Sequence, residues 1–233
     1  MTSYSASERS RSSFGLTSMM DSLWHRAFSF PEAFVFELMI APALAALVTP
    51  EFTKVATGRV LDLGAGGGSV AALLAQQREL DVVALDPSRS QRRRALRRAA
   101  KEPRLTVCNG RADALPFADN SFDTVVSSCA WKHWPDPSEG IAECLRVLRP
   151  GGTLTVIEID GTATRDDFWQ FARTTRFPVG MKRAYWRFSM HTVVRVAPNP
   201  AQLAQSFGDV PVKVSRIDSS PFLIASSDKS ENK

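Results

Sequence analysis

The 233-residue sequence predicts a doubly wound α/β domain built on a mostly parallel sheet. Three observations carry that expectation. Short apolar runs recur along the chain at 59–63, 81–85, 105–108, 122–129 and 153–159. Segments with helical spacing of apolar residues separate most of them. The first run also ends in a glycine-rich turn, Gly64-Ala65-Gly66-Gly67-Gly68, placed as in a strand that feeds a helix.

Taken in order, residues 1–17 are rich in Ser, Thr and Arg and read as a disordered tail. Residues 18–57 read as N-terminal helices, with Trp24, Phe28, Phe34, Phe36 and Met39 making an apolar surface. A core over 58–160 follows. Val70, Leu73 and Leu74 mark the helix after the glycine turn, and a second strand and an arginine-rich helix come next. In that helix Ala95, Leu96, Ala99 and Ala100 are expected to face inward, with the arginines outward. Asp136-Pro137-Ser138-Glu139 opens a further helix, with Asp136 as cap, Pro137 in the first turn and Glu139 completing a capping box. Arg149-Pro150-Gly151-Gly152 reads as a turn into the fifth strand. The segment 161–198 reads as an insertion or lid. Residues 199–227 give a last helix from Asn199-Pro200 and a closing hairpin that adds an antiparallel strand. A second tail, 228–233, ends the sequence.

Composition narrows the function classes. At 44% hydrophobic and 23% charged residues the chain has the makeup of a globular domain. Cys108, Cys129 and Cys144 are scattered, as are His25, His133 and His191, which argues against a disulfide framework or a metal site and for a reducing cytoplasm. The stretch 38–48 is too short to span a bilayer, and no apolar run follows Arg9 and Arg11 as in a signal peptide. The net charge of +5 is local: Arg89, Arg92, Arg93, Arg94, Arg97 and Arg98 lie within ten residues, and without these six the balance is −1.

The chemistry sits at Asp62-Leu63-Gly64-Ala65-Gly66-Gly67-Gly68-Ser69. Glycines let a ligand approach the backbone, and a helix N-terminus beyond them favours a carboxylate or phosphate. Asp86, eighteen residues after Gly68 at the end of the second strand, suits a ribose diol. Dinucleotide folds share such a turn, but two details differ here. Ser69 stands where their sixth position takes Gly or Ala, and Asp62 precedes the first glycine, where an acid suits an ammonium and a sulfonium better than a pyrophosphate.

This loop resembles the D-x-G-x-G-x-G motif of class I S-adenosylmethionine-dependent methyltransferases. The similarity runs from about Gly58 to Glu158 and includes Leu85-Asp86-Pro87-Ser88, Ala114-Leu115-Pro116-Phe117, Ser121-Phe122-Asp123 and Leu148-Arg149-Pro150-Gly151-Gly152. It points to the small-molecule branch that includes ubiquinone and menaquinone C-methyltransferases. The resemblance implies a seven-stranded sheet, S-adenosylmethionine as cofactor, and a methyl group transferred by in-line displacement to a small apolar or aromatic acceptor. Asp62, Gly64, Ala65, Gly66 and Gly68 would then hold the methionine part, and Asp86 the ribose. Pro87, Arg111, Ala112 and Asp113 would border the adenine, and Ser128 the methionine side. Arg111 departs from the pattern, because an acid often stands there to accept from the adenine amino group.

Three further groups are candidates for substrate chemistry. His133, in Trp131-Lys132-His133-Trp134 after the fourth strand, is a candidate general base or a support for the turn. Trp131, together with Trp24, Tyr185 and Trp186 from aromatic-dense segments, is a candidate acceptor contact, against plain core packing. The arginine helix reads first as a solvated face and second as a contact for RNA or acidic lipid. Ser128-Cys129-Ala130-Trp131 carries neither signature of base-methylating enzymes, which argues against nucleic acid as acceptor. An RNA or protein methyltransferase and a non-catalytic S-adenosylmethionine-binding protein stand as the alternatives.

Overall fold

The computed structural model describes residues 38–176, 180, 194–218 and 220–228. Helix α1 (Ala41–Thr53) leads to β1 (Arg59–Leu63), α2 (Ser69–Leu74), β2 (Asp81–Leu85), α3 (Arg89–Ala99), β3 (Leu105–Cys108) and β4 (Phe122–Ser128). A 3-10 turn (Trp131–His133), α4 (Pro137–Val147), β5 (Leu148–Ile159) and α5 (Arg165–Thr174) follow. A second 3-10 turn (Val194–Val196), α6 (Pro200–Gln205), β6 (Lys213–Arg216) and β7 (Phe222–Asp228) complete the fold. The seven strands form one sheet in the order β3-β2-β1-β4-β5-β7-β6. β1 to β5 pair in parallel, and β7 runs antiparallel to both β5 and β6. The predicted doubly wound sheet and closing hairpin are both present.

Because side chains alternate across a strand, the buried runs feed two separate cores. Val60, Val82, Ala84 and Val126 pack with Leu44, Val48 and Phe52 of α1 and with Val70, Ala71 and Leu74 of α2. Leu61, Leu63, Val83, Leu85 and Val125 pack on the other face with Ile141, Cys144 and Val147 of α4, and with Leu203. By this alternation Asp62 points into the first, apolar core, where a hydrophobic residue is the ordinary occupant.

Several local expectations are corrected. In α3 only Ala95 is fully buried, while Leu96 and Ala100 lie exposed. Small Ala95 is wanted there because Gly68 lies against it, 3.0 Å from a would-be Cβ to the Ala95 Cβ. Asp136 caps α4 alone, accepting from the Ser138 and Glu139 N–H groups at 2.8 and 3.1 Å, and Glu139 makes no reciprocal bond. The expected turn at Arg149–Gly152 lies within β5, where Leu148 pairs with Phe122 and a register shift absorbs Pro150 and Gly151. Asp228 belongs to β7, paired with Thr153, whose hydroxyl donates to its carboxylate at 2.9 Å.

Candidate functional site

The sheet reverses its strand order at β1, which pairs with β2 on one side and β4 on the other, so a crevice opens beyond the C-terminal ends of β1 and β4. The glycine turn lies at that point. Gly64 and Ala65 donate their N–H groups to the Leu85 carbonyl at 2.8 and 3.0 Å, which ties the turn to β2. Gly64 has φ +73°, and a Cβ there would meet the Ala130 Cβ at 2.4 Å, so the turn and the loop after β4 touch where only glycine fits. Gly66, at φ +54°, has open space where a Cβ would stand. The turn is closed on one side and open on the other.

Asp86 is the keystone of this geometry. One carboxylate oxygen accepts from the Gly66 N–H at 2.9 Å, and the other accepts from the Ser88 N–H at 2.8 Å. The Asp86 carbonyl accepts from Arg92 at 2.9 Å, and Arg98 donates to the Gly67 carbonyl. Two arginines that the sequence placed on the outer face therefore brace the glycine turn and the acid that holds it.

Asp62 is fully buried, and neither carboxylate oxygen has a hydrogen-bond partner. Burial pushes its pKa up from 3.8 to about 7; the nearby Asp86 charge adds to the rise, and the approach of the Ala71 backbone N–H works against it. An unpaired acid under a glycine turn is what a cationic ligand group needs, and it is costly without one.

The other candidates are placed as follows. Arg111 and Asp113 form a bidentate ion pair at 3.0 and 2.8 Å beside buried Ala112, and the guanidinium holds the Asp113 carboxyl below the usual range. Pro87 is exposed next to Asp86, and Ser128 is half-buried at the end of β4. The His133 N–H caps its 3-10 turn on the Ala130 carbonyl at 2.9 Å. Trp131 donates its indole N–H to Ser206 at 3.1 Å and packs, with buried Trp134, against the core on the α4 and α6 side. Phe168 and Phe171 are buried core residues, the latter edge-on to Phe222 at 5.1 Å. Trp24, Tyr185 and Trp186 lie outside the described residues.

Sequence reading missed one charged pair at this edge. Lys132 donates to Glu158 at 2.8 Å and to the Cys129 carbonyl at 2.8 Å, and both side chains are almost wholly buried. It fixes the left-handed Cys129 (φ 54°) that turns the chain out of β4. The available signal was Glu158 itself, an acid among the apolar residues Val156, Ile157 and Ile159. Burial pushes the Cys129 thiol up to about 12, which removes it as a nucleophile at neutral pH.

A doubly wound sheet with a glycine turn at its switch point, an acid before the turn and another at the end of β2 defines a Rossmann-like crevice. Residues 61–156 match the family described as a methyltransferase domain. An uncharacterized methyltransferase of Mycobacterium tuberculosis is 46% identical over 102 residues, 44% of this chain and 40% of that protein. A demethylmenaquinone methyltransferase of Renibacterium salmoninarum is 45% identical over 100 residues, 43% of this chain and 40% of that protein. The chain thus matches well under half the length of these curated relatives. A SAM dependent methyltransferase from Aquifex aeolicus shares the fold, with a TM-score of 0.58 and 16% identity over 83% of this chain and 92% of its own. Among the described residues no helix is long and apolar enough to cross a membrane.

Proposed function

We propose that the chain binds S-adenosylmethionine in the crevice above Gly64–Gly68 and transfers its methyl group to a small apolar acceptor. The observation that carries this reading is Asp62: a buried carboxylate without a partner, beneath a turn left open at Gly66. The residues fit the cofactor. Asp62 supplies negative charge for its ammonium and sulfonium, Gly66 leaves room for its methionine part, and Asp86 keeps a fixed carboxylate for its ribose. Arg111-Ala112-Asp113 flanks the adenine side, with the ion pair keeping Asp113 ionised as an acceptor. When bound, the cofactor supplies a methyl carbon activated by positive sulfur. The chain's own part is alignment and exclusion of water: the Lys132–Glu158 pair fixes the loop after β4, and the Asp86 bonds fix the glycine turn. His133, on that loop, is the candidate base for an acceptor that must lose a proton. The names of relatives, demethylmenaquinone methyltransferase and the 2-methyl-6-phytyl-1,4-hydroquinone methyltransferase of Oryza sativa, support a hydroquinone-like acceptor.

Calorimetry with S-adenosylmethionine, its demethylated product and NAD tests the cofactor half, with the first two expected to bind and NAD not. Asp86→Ala is expected to weaken S-adenosylmethionine binding by ~1.5–3 kcal/mol, the range for hydrogen bonds to a charged group. Unchanged affinity would remove the ribose assignment. Labelled-methyl transfer into a fractionated metabolite extract tests the acceptor half: label in the small apolar fraction supports it, and label only in RNA or protein overturns it.

A further inference from the structure

We infer that the outer face of α3 is a docking surface for an anionic lipid bilayer. The six arginines of this helix divide into two sets. Arg92, Arg94 and Arg98 turn back onto the protein, donating to the Asp86 carbonyl, the Gln91 side chain and the Gly67 carbonyl. Arg89, Arg93 and Arg97 are exposed and point away from it. They follow one another at intervals of four, and exposed Lys101 extends the line just past the helix end. At about 100° per residue the four cations span roughly a third of the helix circumference, opposite buried Ala95.

The spacing sets like charges beside one another at every i, i+4 step, a destabilising arrangement for a helix. No acid occurs between Pro87 and Lys101 to relieve it. A helix made this way leaves its positive field to be neutralised from outside, by a surface carrying many negative charges.

Leu96 selects a lipid surface over a nucleic acid. It is 54% exposed, one of three exposed large hydrophobic side chains among the described residues, and by helical position it borders the cation arc, about 20° beyond Arg89. Exposed Ala100 lies beside it on that face. A row of cations bordered by an apolar side chain suits a helix that lies at a headgroup boundary, the cations on phosphates and the apolar residue toward the acyl chains. Recognition of single-stranded nucleic acid draws instead on aromatic stacking, and this helix has no aromatic residue. The docking does not depend on methyl transfer, so it stands or falls separately from the proposed reaction.

Vesicle co-sedimentation tests it, using the full chain with vesicles of phosphatidylcholine alone and of phosphatidylcholine mixed with phosphatidylglycerol. Binding is expected to the anionic vesicles only and to fall steeply with salt. The combined change Arg89→Gln, Arg93→Gln, Arg97→Gln and Lys101→Gln is expected to weaken it at least about a hundredfold, each cation near such a surface contributing roughly a factor of five. Leu96→Ser is expected to weaken it several-fold with the salt slope unchanged. Arg92 and Arg98 stay intact in both variants because they brace the ligand loop. Three results overturn the proposal: equal binding to neutral vesicles, unaltered binding of the fourfold variant, or capture by an RNA homopolymer in preference to anionic vesicles with no effect of Leu96→Ser.

Discussion

Replacing Asp62 by Asn isolates the feature on which the functional reading rests. The side chain is fully buried, both oxygens are unpartnered, and its pKa stands at about 7 against 3.8 for an ordinary carboxyl. A folded-state pKa raised above the unfolded one means that the folded chain holds more protons between the two values. Stability contributed by the neutral form is therefore complete below about pH 4 and is lost as the pH rises through about 7. With 1.36 kcal/mol per pKa unit, the buried charge costs on the order of 4 kcal/mol at pH 8. Asn has nearly the same shape but leaves a buried amide unsatisfied, at ~1–3 kcal/mol. The variant without ligand is thus expected to be more stable than the parent at pH 8, by roughly 1–3 kcal/mol, and no more stable at pH 5.

Urea unfolding at the two pH values measures this difference, and titration with S-adenosylmethionine measures the other side of it. The same variant is expected to bind the cofactor at least about tenfold more weakly, because the charge facing its cationic groups is gone. A gain in stability with a loss of affinity marks a residue kept for its ligand. If the variant has the same stability relative to the parent at both pH values, Asp62 is not the strained group described here. If its affinity is unchanged, the carboxylate does not face the cation.

Three further outcomes follow from the site's packing. Gly66→Ala is expected to cost only ~1–2 kcal/mol of stability, the price of a left-handed residue with a Cβ, yet to abolish cofactor binding by filling the crevice, whereas Gly64→Ala adds a collision with Ala130 and is expected to cost about 2–4 kcal/mol in unfolding experiments. Lys132→Met strands the Glu158 charge and is expected to destabilise by about 3–5 kcal/mol, with the double change Lys132→Met and Glu158→Leu recovering much of the loss in the same assay. His133→Gln is expected to slow methyl transfer to acceptors that must lose a proton and to spare those that attack as neutral amines, a contrast read from turnover on the two classes.

What the sequence made legible was local. The strand–turn–helix around Gly64–Gly68 is encoded within some fifteen residues, and Asp86 follows at a spacing set by one helix and one strand. Pairings between distant segments were not legible. Lys132 and Glu158 lie on different elements, and nothing near either residue names its partner. Arg98 reads as one more exposed cation until α2 and α3 pack and bring it to the Gly67 carbonyl. Leu96 was misplaced because helical periodicity assigns the one large apolar residue to the core. The face of α3 that meets the protein is crowded by Gly68, so Ala95 is buried and Leu96 turned out. Pro150 read as a break, yet β5 continues past it because the pairing with β4 shifts register there.

Asp62 joins these two levels. Its place in the sequence, before a glycine turn, suggested a cationic ligand, but so would an exposed acid at the same position. Strand alternation decides the matter physically. β1 sends Val60 and Asp62 to the side of the sheet that packs on α1 and α2, so the carboxylate is fully buried beside an apolar core. A neutral residue there would give a more stable apo protein, and Val or Ala would satisfy the packing. The acid weakens the fold, and in the proposed function it does so to meet a charge that the fold itself does not contain. That mismatch, absent at Asp86 with its two backbone donors, separates an acid that shapes the turn from the acid that the proposed function sets against the cofactor's positive charge.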